Sequence, residues 1–260
     1  MPPGQSEPAS HPPGIAGAKL DHVACGVPSV AAAAAFVAGT LGGRAAEGGP
    51  GVGFEGGQWR FEGGGMLEVL QPAGRPGGFL HRFVERSGPG IHHVTFTVPA
   101  LEEAAERARA FGFAVVGYSA LSPGWKECFL HPKEAQGIVV QLAESDPAQG
   151  GDWGTGWAFP PPPAAPPPPV TLVGVRLSAR SAKAAMRQWG ALLGGHASVD
   201  GDGLEFRWKE SPLRIAVSLD PVAPPGPLWL EIAAARPLRL PDGPQPAVGA
   251  RFALVPRSVA

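Results

Sequence analysis

Residues 20–142 carry one pattern twice, and that internal repeat confines the chain to folds assembled from two copies of the same unit. Leu20-Asp21-His22-Val23-Ala24-Cys25-Gly26-Val27-Pro28 reads as a strand running into an Ala-rich helix. Ile91-His92-His93-Val94-Thr95-Phe96-Thr97-Val98-Pro99 runs into a second helix over Leu101–Phe111, which places His93 where the first copy places His22. Each copy closes on a strand with one polar residue among apolar ones: Glu68 in Met66–Leu70 and Gln141 in Val139–Leu142. Ser29 is suited to cap the first helix, over 29–41, and Gly42-Gly43 to end it. The second helix, over 100–110, alternates Glu102, Glu103, Glu106, Arg107 and Arg109 with an apolar stripe of Leu101, Ala104, Ala105, Ala108 and Phe111. Strands are expected near 51–54, 57–62 and 65–70 after the first helix, and near 113–118, 125–130 and 137–143 after the second. The fold class this predicts is α+β: tandem βαβββ modules forming a cupped mixed sheet with helices on its outer face.

Strand periodicity assigns faces independently of the repeat. His22, Ala24 and Gly26 alternate with Asp21, Val23, Cys25 and Val27; His93, Thr95 and Thr97 alternate with His92, Val94, Phe96 and Val98. The bulky sets, with Leu67, Val69, Val140 and Leu142, should pack on the helices. His22, Glu68, His93 and Gln141 then share the opposite, concave face, and His92 points to the helix side. Two imidazoles, one carboxylate and one amide oxygen suit a single divalent ion, Zn, Ni, Co, Mn or Fe, with one or two open positions for water or substrate. Gln58, Arg60 and Glu62 share a strand face and can add polar contacts. Trp59, Phe61, Trp125 and Phe129 can line a pocket or fill core.

The rest of the chain narrows the class. Lys and Arg number 21 against 22 Asp and Glu, with no basic stripe, so no nucleic-acid partner is expected. No apolar run is long enough to span a bilayer, residues 1–19 read as a flexible leader without signal-peptide features, and a cytoplasmic location is the expectation. Cys25 and Cys128 fall in strands and read as buried reduced thiols. Residues 20–145 form the paired metal-binding domain, and the proline-rich stretch 146–169 reads as a semi-rigid linker. Residues 170–260 repeat the module in decayed form, with a strand at 172–177, a helix at 181–193, and strands at 203–208, 213–219 and 228–232. A constant offset puts Gly174 in the place of His22, while Glu231 resembles Glu68 in its surroundings. An extra terminal strand, 248–256, mimics 91–99 with Ala250 for His93; it must pair with the third module, with the first domain, or with another subunit in a homodimer.

Residues 20–143 resemble the vicinal oxygen chelate superfamily, which includes glyoxalase I, methylmalonyl-CoA epimerase, extradiol dioxygenases, fosfomycin-resistance enzymes and bleomycin-binding proteins. The matching segments, Leu20–Ala24, Gly90–Val94, Phe129–Lys133 and Gly137–Leu142, are most similar to the epimerase-like branch. The resemblance implies a cupped sheet around a divalent metal with His22, Glu68, His93 and Gln141 on the ligand positions. Gln141 departs from the glutamate usual there. The chemistry this implies is metal-assisted enolisation of a small oxo or thioester substrate, of isomerase or lyase type, with Glu68 as ligand and base and Glu62 as a second base. Two other classes stay open: a non-haem iron dioxygenase using His22, His93 and Glu68, and a small-molecule binding module without catalysis.

Overall fold

The computed structural model describes residues 12–122, 124–149 and 158–256; the first part of the expected leader and residues 150–157 of the expected linker lie outside them. The first module contributes β1 (Lys19–Gly26), α1 (Val30–Gly39), β2 (Arg44–Gly51), β3 (Phe54–Arg60) and β4 (Met66–Pro72). After α2 (Phe79–Ser87), the second contributes β5 (Gly90–Thr97), α3 (Leu101–Ala110), β6 (Val115–Ser122), β7 (Trp125–Leu130) and β8 (Val139–Ser145). These eight strands form one sheet in the order β2-β3-β4-β1-β5-β8-β7-β6, the two copies meeting where β1 runs antiparallel to β5. Within each copy the first strand pairs parallel with the last, β1 with β4 and β5 with β8.

All ten residues assigned to the helix-facing side, Val23, Cys25, Val27, Leu67, Val69, Val94, Phe96, Val98, Val140 and Leu142, are buried in one core. Ser29 caps α1 by accepting from the Ala32 amide at 3.3 Å. Cys25 and Cys128 are buried free thiols.

A second sheet follows: β9 (Thr171–Ala179), α4 (Ala182–Ala185, continuing as a π-helix over Met186–Leu192), β10 (His196–Asp200), β11 (Gly203–Arg207), β12 (Arg214–Leu219), β13 (Gly226–Ala233) and β14 (Phe252–Leu254), ordered β10-β11-β12-β9-β13-β14. Its apolar face and that of the first sheet share one core with α1, α3 and α4, so each sheet turns its polar face away from the other. Phe96 of β5 meets Trp208 at 4.9 Å and stacks on Trp189 of the π-helix at 6.4 Å. Residues flanking the modules join this packing. Ile15 is buried and its amide bonds the Leu192 carbonyl, and Phe159 of the proline-rich stretch packs edge-on against Trp59 at 5.4 Å.

The C-terminal expectations need two corrections. β13 pairs antiparallel with β9 as β5 does with β1, and β14 pairs parallel with β13 as β8 does with β5. Residues 226–233 therefore hold the place of β5, and the terminal strand, with three paired residues, holds that of β8. Ala250 is buried before β14 and does not stand where His93 does. Glu231 pairs with Gly174 as Thr95 pairs with His22, so it occupies the position of Thr95 and not of Glu68.

α2 was not visible in the repeat, because it belongs to neither copy. It packs against the concave face: Leu80 is fully buried in a small cluster with Ala24 and Leu70, flanked by Phe54 and Phe83. Gly26 makes this approach possible, since a Cβ there would stand 2.9 Å from the Phe83 ring and 3.0 Å from Leu80. Gly26→Val is expected to displace α2 and cost about 1–3 kcal/mol of stability, as overpacking of a filled site does, measurable by urea unfolding.

Candidate metal centre

Three central strands supply the site, His22 from β1, Glu68 from β4 and His93 from β5. The β1–β4 register sets Ala24 beside Glu68, and the β1–β5 register sets Ala24 beside His93, so a small residue at 24 leaves room between the two. The ligand-capable atoms of His22, Glu68 and His93 all lie within 4.8 Å of one another. His22 Nε2 is 3.5 Å and His93 Nε2 3.4 Å from Glu68 Oε2, with both imidazoles and the carboxylate buried.

Two β-bulges explain how the rings are aimed. The β1–β5 register slips between Leu20 and His22 and again opposite Ala24–Cys25, leaving Asp21 and His92 as the extra residues. A bulged residue loses its alternation and is re-aimed. The assignment of His92 to the helix side is thereby corrected: it lines the cup beside His93, against Phe79 and Phe83 at 5.7 and 4.7 Å between ring centroids. Asp21, expected on the helix side, also reaches the cup.

Each bulged residue orients the histidine that follows it. The Asp21 carboxylate accepts from His22 Nδ1 at 2.7 Å, and His92 Nδ1 lies 2.8 Å from His93 Nδ1. Burial, reinforced by His93, holds His92 down at about 3, so it is neutral and can accept the His93 Nδ1–H. Both histidines then present Nε2 to Glu68, and an imidazole oriented through its other nitrogen is the usual arrangement of a metal-bound histidine.

The electrostatics favour positive charge beside Glu68. Burial opposes charge on both partners. Even so, Glu68 and the Asp21 hydrogen bond hold His22 up at about 10, while His22 and His93 hold the Glu68 carboxyl well below the usual range. His93 Nε2 is buried without a hydrogen-bond partner, 3.4 Å from the carboxylate. A lone pair facing a buried carboxylate at that distance is stabilised by a positive ion between them, and two imidazoles with one carboxylate suit a borderline divalent ion. The residues present fit such an ion.

Gln141 faces the same site and is tied into a chain of hydrogen bonds. Thr95 Oγ1 lies 2.9 Å from His22 Nε2 and donates to Gln141 Oε1 at 2.6 Å; Gln141 Nε2 donates to Glu127 Oε2 at 2.6 Å. Gln58 Nε2 reaches Glu68 Oε1 at 3.4 Å. Glu62 lies past the end of β3, exposed and bridged to Thr171, and does not line the cup. Trp59 and Phe61 are core, whereas Trp125 and Phe129 line the cavity.

Sequence reasoning missed Glu127. It sits on β7, accepts from Trp125 Nε1 at 3.1 Å as well as from Gln141, and faces a cavity of about 900 Å³ above the three clustered side chains. An alternating reading of 125–130 was available, and it puts Glu127 on the face of Trp125 and Phe129.

In the second sheet Gly174, Ala216 and Trp229 take the positions of His22, Glu68 and His93, and ion pairs form beside them. Glu231, 1 % exposed, accepts from Arg176 Nε and Arg214 Nε, both at 2.8 Å. Arg214 also meets Glu205, and Arg176 meets Asp200 at 2.5 Å. Trp229 holds the register position of His93, with Arg176 5.8 Å from its ring centroid.

The model of the Glyoxalase/Bleomycin resistance protein/Dioxygenase superfamily matches residues 21–129. No curated protein matches the chain. Among solved structures it is similar to methylmalonyl-CoA epimerase from Mycobacterium tuberculosis, with 23% identity over 50% of this chain and 89% of that one and a TM-score of 0.46. It is similar to a methylmalonyl-CoA epimerase in complex with methylmalonyl-CoA and NH4+, with 23% identity over 50% of this chain and 95% of that one and a TM-score of 0.46. A variant of 4-hydroxymandelate synthase from Streptomyces coelicolor aligns over 85% of this chain and 71% of its own, at 15% identity and a TM-score of 0.51, so that fold extends into both sheets.

Proposed function

We propose that the cup is the active site of a divalent-metal-dependent enzyme that enolises a small oxo or thioester substrate, of isomerase or lyase type, a reading supported by the match of residues 21–129 to the model of the Glyoxalase/Bleomycin resistance protein/Dioxygenase superfamily. The observation that carries this reading is the convergence of His22, Glu68 and His93, all buried, where Glu68 and His93 line a cavity of about 900 Å³.

His22 and His93 would hold the ion through Nε2 and Glu68 through its carboxylate, with Gln141 beside them. The chemistry supplied by such an ion is Lewis acidity toward a substrate carbonyl. Glu68 is a poor proton acceptor, because two imidazoles hold its carboxyl well below the usual range, so its part is that of a ligand. Glu127 is a cavity-facing carboxylate outside the cluster, held by the Gln141 amide and the Trp125 indole. Its place is to take the proton from the carbon beside the carbonyl and return it. The apolar walls of the cavity, Phe54, Leu70, Phe83 and Phe129 among them, exclude water from that exchange.

One observation favours a second reading. Gln141 has its amide oxygen engaged by Thr95 and its nitrogen by Glu127, which leaves two histidines and one carboxylate, the ligand set of non-haem iron oxygenases. A panel of 2-oxo acids, hemithioacetals and acyl thioesters in deuterium oxide separates the two. Incorporation of deuterium next to the carbonyl without oxygen uptake is expected of the enolising enzyme. Oxygen consumption with the Fe(II) protein would favour the oxygenase, and neither reaction would leave a binding module.

A further inference from the structure

α2 crosses one end of the cup and brings two kinds of side chain to the cavity. Phe79 and Phe83, four residues apart, present rings to it, and so do Arg82 and Arg86 one turn on from each other. Phe79 meets Phe54 at 6.1 Å and His92 at 5.7 Å, while remaining 41% exposed. An exposed phenylalanine on an aromatic wall above an open cavity is an unfilled apolar contact. Arg86 has no ion-pair or hydrogen-bond partner among the described residues, and Arg82 donates only to the Gly77 carbonyl. Of the acids that line the cavity, Asp21 is engaged on His22, Glu68 between the histidines and Glu127 by Gln141 and Trp125, while Glu47 stands on the edge strand β2. A guanidinium carries five N–H donors in a planar fork that matches a carboxylate, sulfonate or phosphate.

We infer that the α2 end of the cup is a subsite for an amphipathic organic acid, its apolar, aromatic-sized body lying on Phe54, Phe79 and Phe83 and its acid group held by Arg82 and Arg86. Such a body also rests on His92, which touches His93, so the end of the molecule away from the acid reaches the clustered histidines. A substrate of this site therefore carries an acid group remote from its reacting oxygen. The inference rests on the cavity being a small-molecule site, as proposed above, but not on the ion.

The test compares 2-naphthylacetate with its neutral amide, 2-naphthylacetamide, by calorimetric titration of the full chain, first stripped of metal and then loaded. The acid is expected to bind about tenfold or more tighter than the amide in both forms, a difference of about 1.4 kcal/mol. R82A/R86A is expected to remove that preference while leaving amide binding in place, and F83A to weaken both probes. Because both arginines are exposed, R82A/R86A keeps the fold, and R82E/R86E provides a second check by rejecting the acid. Equal binding of acid and amide, no binding of either, or a preference unchanged in R82A/R86A would overturn the inference. So would a preference confined to the metal-loaded protein, since the ion would then be holding the carboxylate. A preference in the stripped protein that R82A/R86A removes would stand even in a chain that takes up no metal, which separates this failure from that of the enzymatic reading.

Discussion

His93→Ala is expected to abolish tight uptake of a divalent ion while leaving the folded sheet in place. His93 supplies one of three clustered ligand atoms, and its ring sits on the cup side of β5, whereas the core side of that strand is held by Val94 and Phe96. The loss of affinity should exceed the roughly 10–100-fold that removing an outer partner of a metal-bound histidine costs. His92→Ala supplies the comparison. His92 touches His93 but contributes no atom to the cluster, so its removal should weaken binding within that range and no further. Metal titration monitored by competition with a chromophoric chelator reads both. Equal losses for the two variants would mean that His92 is itself a ligand.

The second large effect lies in the other sheet. Glu231→Ala would leave Arg176 and Arg214, 15% and 11% exposed, without the buried carboxylate they share. Breaking a buried pair by removing one partner costs about 3–5 kcal/mol, because the remaining charge keeps its desolvation penalty. Urea unfolding should show a loss of that order. Metal uptake by the first sheet should be unchanged, since Glu231 sits on the polar face of a different sheet, with the shared core between them. A Glu231→Ala protein that loses metal but not stability would reverse the roles assigned to the two sheets.

The sequence made some parts of this molecule legible and hid others for physical reasons. Strands β1 and β5, their helices and their core faces could be read because alternation and helical spacing are written in bulky side chains such as Val23, Val94, Phe96 and Leu101. β2 was displaced, expected near 51–54 and found at Arg44–Gly51, because a glycine-rich edge strand has few side chains to carry a pattern. His92 and Asp21 were assigned to the wrong face because a single bulged residue reverses alternation, and nothing in Asp21-His22 or His92-His93 announces the bulge. Glu231 was matched to Glu68 from local surroundings, but its place is fixed by pairing with Gly174, a contact between residues distant in sequence. Three of the four expected ligands form the cluster on their own, while Gln141 stands next to it in a hydrogen-bond chain whose far end, Glu127, only the folded sheet brings near.

A single divalent ion between His22, Glu68 and His93 can be located by anomalous diffraction from a crystal of the metal-loaded protein. One anomalous peak per chain is expected, about 2.0–2.2 Å from His22 Nε2, His93 Nε2 and a Glu68 carboxylate oxygen. A peak coordinated elsewhere, at Glu231 for example, or a protein saturated with metal whose three side chains hold none of it, would contradict it.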